Sequence, residues 1–310
     1  MSSKVAVATL GGTISMTGSG SGVTPTLGAN ELTQGLDVGE VTTLATIPGA
    51  SLTFAILLEV FDWAVARIRG GARGIVVVQG TDTLEETAYF LDCLWPFDEP
   101  IVVTGAMRHP GLPGADGPAN LTAAVAAAAA ANSRGRGALL VLNDEVHAAR
   151  WVRKAHSSRQ DAFRSEPGPL GLVVEQHPRY FHPAHRFEPL PRPEAFPRVA
   201  LFEATLGDDG FLLREAKVDA AVVAATGVGH VSTGMADAIE DATFPVVVAS
   251  RTGAGTTFRD TYAFAGSESD LIKRGAVPAG WLDPRKARIL LTLALGRDLL
   301  QEFTTRGSVY

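Results

Sequence analysis

Two short stretches place a hydroxyl behind glycine at the point where an apolar run stops. In Val76-Val77-Val78-Gln79-Gly80-Thr81-Asp82-Thr83 the hydroxyl is followed by a carboxylate; in Val5-Ala6-Val7-Ala8-Thr9-Leu10-Gly11-Gly12-Thr13 it follows two glycines. A threonine hydroxyl is a poor nucleophile until a neighbouring group removes its proton. A lysine does that only with a lowered pKa, which burial supplies. Glycine-rich turns add free backbone N–H groups that can hold an oxyanion. Two threonines, a carboxylate and a lysine thus supply what amide hydrolysis needs, with no metal and no cofactor. Plainer readings of the same residues stand beside this one. Thr81-Asp82-Thr83 could be an ordinary strand-to-helix turn with an Asx-type cap, and Gly11-Gly12-Thr13 a dinucleotide-binding turn without its third glycine. Arg150, Arg153 and Lys154 cluster after Asn143-Asp144-Glu145, and a basic cluster of this kind is usually a solvated face. No Gly-x-Ser-x-Gly elbow, His-Glu-x-x-His pair or Walker loop occurs, which removes support for serine-hydrolase, zincin and P-loop chemistry.

The elements that must present these groups follow from periodicity. Ile75–Val78 is a continuous apolar run, which predicts a strand buried on both faces. Thr83-x-x-Glu86 reads as a capping box, and Asp82 lies where a helix N-terminus favours an anion. Leu84, Ala88, Leu91 and Trp95 repeat at helical spacing, predicting a helix over Leu84–Trp95. Gly80 allows a sharp turn and a close backbone approach. Thr81 and Asp82 are then presented at the carboxyl end of a parallel strand, where open α/β sheets bind ligands. Strands are further predicted over Val41–Ile47, Ile101–Thr104 and Ala138–Leu142, and helices over Phe54–Ile68 and Ala119–Ala131. This alternation implies right-handed crossovers and a mainly parallel sheet. The Gly/Ser-rich segment from Ser15 to Thr26 reads as a mobile loop and a lid over Thr13.

From Pro167 to Pro197 prolines recur too densely for a helix or a central strand, although Leu170–Val174 could form a short strand or hairpin. Beyond them, strands are predicted over Val199–Glu203, Ala220–Ala225 and Pro245–Ser250. A helix is predicted over Thr233–Asp241, and another over Arg285–Leu295 opened by Asp283-Pro284. Thr226-Gly227-Val228-Gly229-His230 ends a strand at another glycine turn. The expected architecture is α/β: a larger N-terminal domain (1–182) with a mainly parallel sheet flanked by helices, a proline-rich linker (183–197), and a smaller C-terminal α/β domain (198–310).

The bulk properties agree with a soluble globular enzyme. The chain has 310 residues, 19% charged and 46% hydrophobic. A net charge of −6 offers no basic footprint for nucleic acid or anionic membrane. Met1-Ser2-Ser3-Lys4 leads directly into the first strand, so neither a signal peptide nor a membrane span is expected, and a cytoplasmic location fits. Cys93 is the only cysteine, so no intrachain disulfide and no thiolate metal site are expected; it reads as a small packed residue.

Taken together, the motifs resemble those of bacterial-type L-asparaginases and glutaminase-asparaginases over nearly the whole chain. Leu10-Gly11-Gly12-Thr13-Ile14 and Gln79-Gly80-Thr81-Asp82-Thr83 are similar to that family's two threonine signatures. Gly105-Ala106-Met107-Arg108 with Ala115-Asp116-Gly117-Pro118, Leu142-Asn143-Asp144 ahead of Lys154, and Asp283-Pro284-Arg285-Lys286 resemble further family segments. The resemblance implies hydrolysis of L-asparagine to L-aspartate and ammonia. Thr13 would be the nucleophile, and Thr81, Asp82 and Lys154 the proton relay, with Asp82 also gripping the substrate's α-amino group. Ser51, or Ala50 in the neighbouring register, would bind the α-carboxylate, and Gly80 and Ala106 would line the pocket. Counting back from Asp283, Glu268 falls where family members reach into a neighbouring subunit's site, although Ala265-Gly266-Ser267-Glu268-Ser269 by itself reads as a surface loop. His230 stands where family members often carry asparagine. Many members place a tyrosine on the lid; here the first tyrosine is Tyr89, so either Thr24 or Thr26 stands in, or Thr13 relies on another relay, or activity is low. The partners implied are a small amino-acid substrate and further copies of the chain, in a homotetramer built from intimate dimers.

Overall fold

A computed structural model describes residues 4–18 and 22–308. The start of the chain at Met1–Ser3 and the tip of the expected lid, Ser19–Ser21, lie outside the described residues. The chain divides into two compact units, Met1–Pro189 and Leu190–Tyr310.

The first unit contains strands β1 (Ala6–Thr9), β2 (Met16–Thr17), β3 (Thr24–Pro25), β4 (Val41–Thr43), β5 (Ile75–Val78), β6 (Ile101–Thr104), β7 (Ala138–Leu142), β8 (Glu145–Ala148), β9 (Val152–Lys154), β10 (Phe163–Ser165), β11 (Gly171–Val174) and β12 (His177–Tyr180). Its helices are α1 (Ala29–Leu32), α2 (Phe54–Arg69), α3 (Leu84–Leu94) and α4 (Gly117–Ala129). Among the described residues, eight strands form one sheet in the order β12-β11-β8-β7-β6-β5-β1-β4. From β4 to β7 neighbours are parallel; β8, β11 and β12 complete it antiparallel. The central strands are apolar throughout because both faces are covered. On one face Val76, Val78, Val102, Leu139 and Val141 pack with Leu121, Ala124, Ala127 and Ala128 of α4. Alternation turns Val77, Ile101 and Val103 to the other face, where α3 packs on β6 and β7 and α2 on β1 and β5.

Several local expectations are corrected. The strand expected over Val41–Ile47 stops at Thr43, because the chain then follows the turn beyond β1: Leu44 N–H donates to the Thr9 carbonyl and Ile47 N–H to that of Leu10, each 3.0 Å. The Gly/Ser loop after Thr13 is not unstructured at its base, where β2 and β3 pair antiparallel with Thr17 opposite Thr24. The capping box at Thr83 does not form. Its hydroxyl donates instead to the Gly49 carbonyl at 2.8 Å, a tertiary partner that outcompetes the local cap. Asn143 and Asp144 take positive φ (52° and 59°) in the two-residue turn between β7 and β8, as a primed hairpin turn requires. Pro178 is accommodated because β12 is an edge strand.

The second unit carries a parallel sheet in the order β13 (Val199–Glu203), β14 (Ala220–Ala225), β15 (Val246–Ser250) and β16 (Val277–Pro278). Around it lie α5 (Phe211–Arg214), α6 (Thr233–Glu240), α7 (Glu268–Lys273), α8 (Pro284–Ala294) and α9 (Leu299–Arg306). Asp283 caps α8 by accepting from Arg285 N–H, with Pro284 at the first helical position. No helix among the described residues is long and apolar enough to cross a membrane.

Candidate active site

The site of the first unit is built where the carboxyl ends of β1, β5 and β6 meet the segment after β4. Leu10 N–H donates to the Val78 carbonyl (2.8 Å) and Gln79 N–H to that of Thr104 (3.0 Å), so the strands stay in register one residue past their ends. The turns that follow then touch backbone to backbone. A methyl group on Gly12 would lie 2.1 Å from both Gly80 Cα and Gly80 N, and one on Gly49 would lie 3.0 Å from the Gly80 carbonyl oxygen. A methyl on Gly105 would lie 2.5 Å from the Gln79 carbonyl oxygen and 3.4 Å from Thr81 Cγ2. Only glycine permits this approach, and Gly12, at φ 88°, requires glycine for its backbone conformation as well.

The candidate side chains hang on that junction. Thr13 follows Gly12, half-buried, and opens a short 3-10 turn over Thr13–Ser15. Ser51 closes another over Gly49–Ser51, with Ala50 beside it, both exposed. Thr81 follows Gly80 and is buried. Ala106 is buried behind Gly105. Its turn is held by Asp116, whose carboxylate accepts the N–H groups of Met107 (3.0 Å) and Arg108 (2.8 Å). Asn120, also buried, donates to the Gly105 carbonyl and to Asp116, and its side-chain oxygen accepts from Asn143 N–H.

Lys154 arrives from β9, outside the main sheet. Its Nζ donates to Thr81 Oγ1 at 2.9 Å and to Asp82 Oδ1 at 3.1 Å. Its side chain is only 16% exposed, whereas that of Asp82 is 61% exposed. The Lys154 backbone N–H donates to the carboxylate of Glu85 in the first turn of α3. Thr13 Oγ1 has no hydrogen-bond partner among the described residues. Of the two hydroxyls offered in place of a lid tyrosine, that of Thr26 is engaged by Thr17 (2.6 Å), while Thr24 faces Thr17 in the β2–β3 ladder.

His230 and Glu268 belong to the second unit and form a pair there, His230 Nε2 to Glu268 Oε2 at 3.0 Å. Glu268 does not lie in a surface loop: it is the first residue of α7, behind the cap Ser267, and is 3% exposed. Its Oε1 accepts the N–H groups of Thr261 (2.9 Å) and Tyr262 (2.7 Å). Burial pushes its carboxyl pKa up, but the amide donors and His230 outweigh burial and hold it below the ordinary carboxylate value. The His230 ring packs edge-on to Tyr262 and Phe264, at 4.9 and 5.0 Å, both exposed.

Sequence reading missed Glu85, Asn120 and Asp116 as builders of the site. The signal for Glu85 was a carboxylate one turn before Ala88 and Tyr89 on a helix with almost no polar face. Among the described residues no group of three or more His, Cys, Asp or Glu side chains could hold a metal ion. A hydroxyl in reach of a shielded amine and a carboxylate, with glycine-turn amides alongside, can carry out acyl transfer.

Comparison with known proteins follows the same division. Residues 4–186 match the family described as Asparaginase, N-terminal, and residues 198–304 the Glutaminase/Asparaginase C-terminal domain. A probable L-asparaginase of Deinococcus radiodurans is 36% identical over 256 residues, 78% of each chain. An L-asparaginase of Bacillus licheniformis is 32% identical over 311 residues, covering 95% of this chain and 96% of its own. The crystal structure of a probable cytoplasmic L-asparaginase from Campylobacter jejuni superposes with a TM-score of 0.88 at 29% identity, over 97% of this chain and 99% of that one. With both of its units matched along almost their full length, the chain belongs to the asparaginase family.

Proposed function

We propose that this chain hydrolyses the side-chain amide of L-asparagine to L-aspartate and ammonia, with Thr13 as nucleophile and Thr81, Lys154 and Asp82 as proton relay. The observation that carries the reading is the 2.9 Å hydrogen bond from Lys154 Nζ to Thr81 Oγ1, on a turn whose glycine touches the one before Thr13. In this mechanism Thr13 Oγ1 bonds to the amide carbon, and backbone N–H groups of the glycine turns hold the oxyanion. The C–N bond then breaks, and nitrogen leaves as ammonia with the proton Thr13 gave up. Water next attacks the threonyl ester, giving a proton to Thr81 as Thr81 passes its own to the Lys154 amine beside Asp82; the same relay then returns that proton to Thr13 Oγ1 as the ester C–O bond breaks. Aspartate departs and the Thr13 hydroxyl is restored.

Exposed Asp82 also suits the substrate's α-ammonium, and Ser51 its α-carboxylate, with Gly80 and Ala106 as pocket wall; His230, paired with Glu268, is assigned to the amine side of the site that Glu268 serves. We assign catalysis to the domain 1–182 and read 183–197 as a linker. The assembly proposed is a homotetramer of intimate dimers in which Glu268 serves a partner's site. Exposed Tyr262 and Phe264 beside His230 support an interface there. A cytoplasmic location is in keeping with the description of the Campylobacter protein.

Glutamine is a second candidate substrate, because the C-terminal match is to a glutaminase/asparaginase domain and one methylene is worth only about 1–3 kcal/mol in a pocket. The test is ammonia release with asparagine, with glutamine and without substrate, on the wild type and on Thr13→Val and Thr81→Val. Asparagine turnover lost in both variants is expected. Asparagine binding by the wild type without ammonia would make it a binding protein instead.

A further inference from the structure

Lys154 reaches Thr81 from a strand that the main sheet does not hold. Among the described residues β9 pairs with β10 in a separate two-stranded sheet, a ladder of three residue pairs. One position beyond that ladder Ala155 N–H donates to the Ala162 carbonyl at 2.7 Å. Because hydrogen-bonded and non-hydrogen-bonded pairs alternate along an antiparallel ladder, the Lys154 amide then points away from β10. It points at α3, where its N–H meets the carboxylate of Glu85. Glu85 is 2% exposed and lies in the first turn of α3, four residues after Thr81, which sits in the turn leading from β5 to that helix. Lys154 is thus held twice by the segment from the end of β5 into α3: by its side chain to Thr81 in the turn and by its backbone to Glu85 in the first turn of the helix. The second tie sets how far the lysine stem must extend before Nζ meets the hydroxyl.

We propose that Glu85 is a positioning residue for the reaction: its carboxylate grips the Lys154 backbone amide and fixes the lysine at hydrogen-bonding distance from Thr81. The role depends on reach, not on charge. It rests on the reading of Lys154 as the base, and it separates from that reading by experiment.

Two variants divide the possibilities. Glu85→Asp keeps the charge and shortens the arm by one methylene; Glu85→Gln keeps the arm and an acceptor oxygen but removes the charge. With folding checked by circular dichroism, steady-state kinetics with asparagine should show kcat about 100-fold lower in Glu85→Asp, the scale of a misplacement near 1 Å. KM should stay within about threefold, because Glu85 makes no contact assigned to substrate, and Glu85→Gln should keep kcat within about tenfold of wild type. Full kcat in a folded Glu85→Asp overturns the proposal. So does Glu85→Gln falling as far as Glu85→Asp, or a loss that appears in KM alone. If Glu85→Asp does not fold, the Glu85→Gln value decides. Lys154→Met is run alongside: a fully active Lys154→Met refutes the base itself, whereas an inactive Lys154→Met with a fully active Glu85→Asp refutes only the positioning role.

Discussion

Replacing Gly80 by alanine tests how tightly the glycine junction holds the two threonines. Gly80 does not sit at positive φ, so alanine meets no backbone strain there and the whole effect is spatial. Its methyl carbon would stand 3.0 Å from Gly49 N, 3.1 Å from Gly12 Cα and 3.2 Å from Gly49 Cα. Non-bonded carbons settle at about 3.5 Å or more, so the turns bearing Gly12 and Gly49 must each retreat by about 0.4 Å. Overpacking of this kind costs about 1–3 kcal/mol. The lower entropy of an unfolded alanine chain offsets about 0.4–1 kcal/mol of that. The net loss, about 0.5–2 kcal/mol, lowers Tm by roughly 1–8 °C in a unit of this size. Catalysis should suffer more, since the displaced turn carries Thr13: kcat for ammonia release from asparagine is expected to fall about 10–100-fold. Gly12→Ala, whose methyl would lie 2.1 Å from Gly80 backbone atoms, should not fold at all. Calorimetry and a coupled ammonia assay on purified Gly80→Ala decide the matter. An unchanged Tm together with an unchanged kcat would show that the turns have slack and that their contact does not position Thr13.

Three further outcomes are expected. Lys154→Met keeps the apolar stem and deletes the amine, so kcat should collapse while asparagine binding, followed by calorimetric titration, survives; a folded variant that binds nothing would make the lysine a substrate ligand. Thr13→Ala and Glu268→Ala should each be nearly inactive, yet regain roughly a quarter of wild-type sites when unfolded and refolded as an equal mixture; no recovery in verified mixed oligomers would sink the shared-site assembly. Because the folded Glu268 carboxyl lies below its ordinary value, its contribution to stability is fully present above pH about 4.3 and is lost as pH falls through the lower folded value. The Tm gap between wild type and Glu268→Gln should therefore close on acidification below pH about 4, and a gap that stays constant would mean that the carboxylate is not what the Thr261 and Tyr262 amides stabilise.

The parts legible in the sequence are those decided by burial alone. Ile75–Val78, Ile101–Thr104, Ala138–Leu142 and Ala220–Ala225 form strands at the positions read for them, because an apolar run covered on both faces has few other places to go. What stayed hidden was settled by partners distant in sequence. Thr83 and Glu86 have the spacing of a local cap, but Gly49, thirty-four residues earlier, offers the Thr83 hydroxyl a carbonyl. β9 and β10 are three residues each and carry Arg153, Lys154 and Arg164, a composition that resembles a loop until the ladder forms. Glu268 looked like a surface residue because the helix behind it is six residues long, too short for its periodicity to be read. The threonine turns were legible as a pair. The lysine was reachable only through family resemblance, since nothing local in Arg150–Lys154 separates a buried amine from a solvated one.

The small ribbon that carries Lys154 has a consequence for how the enzyme fails. Its two strands are joined by a connection whose residues 155–159 are exposed, and neither strand belongs to the eight-stranded sheet. Opening it breaks the short ladder, the Lys154 bonds to Glu85 and Thr81 and the packing of buried Val152, Ala162 and Phe163, but leaves the eight-stranded sheet paired, so its local opening free energy lies below that of global unfolding. Heat, denaturant or a protease acting at 155–159 therefore reaches the amine before it reaches the core. Catalytic half-life and melting temperature are then separate properties of this chain. Stabilising the core raises the second alone; a longer-lived catalyst requires that the ribbon be fastened.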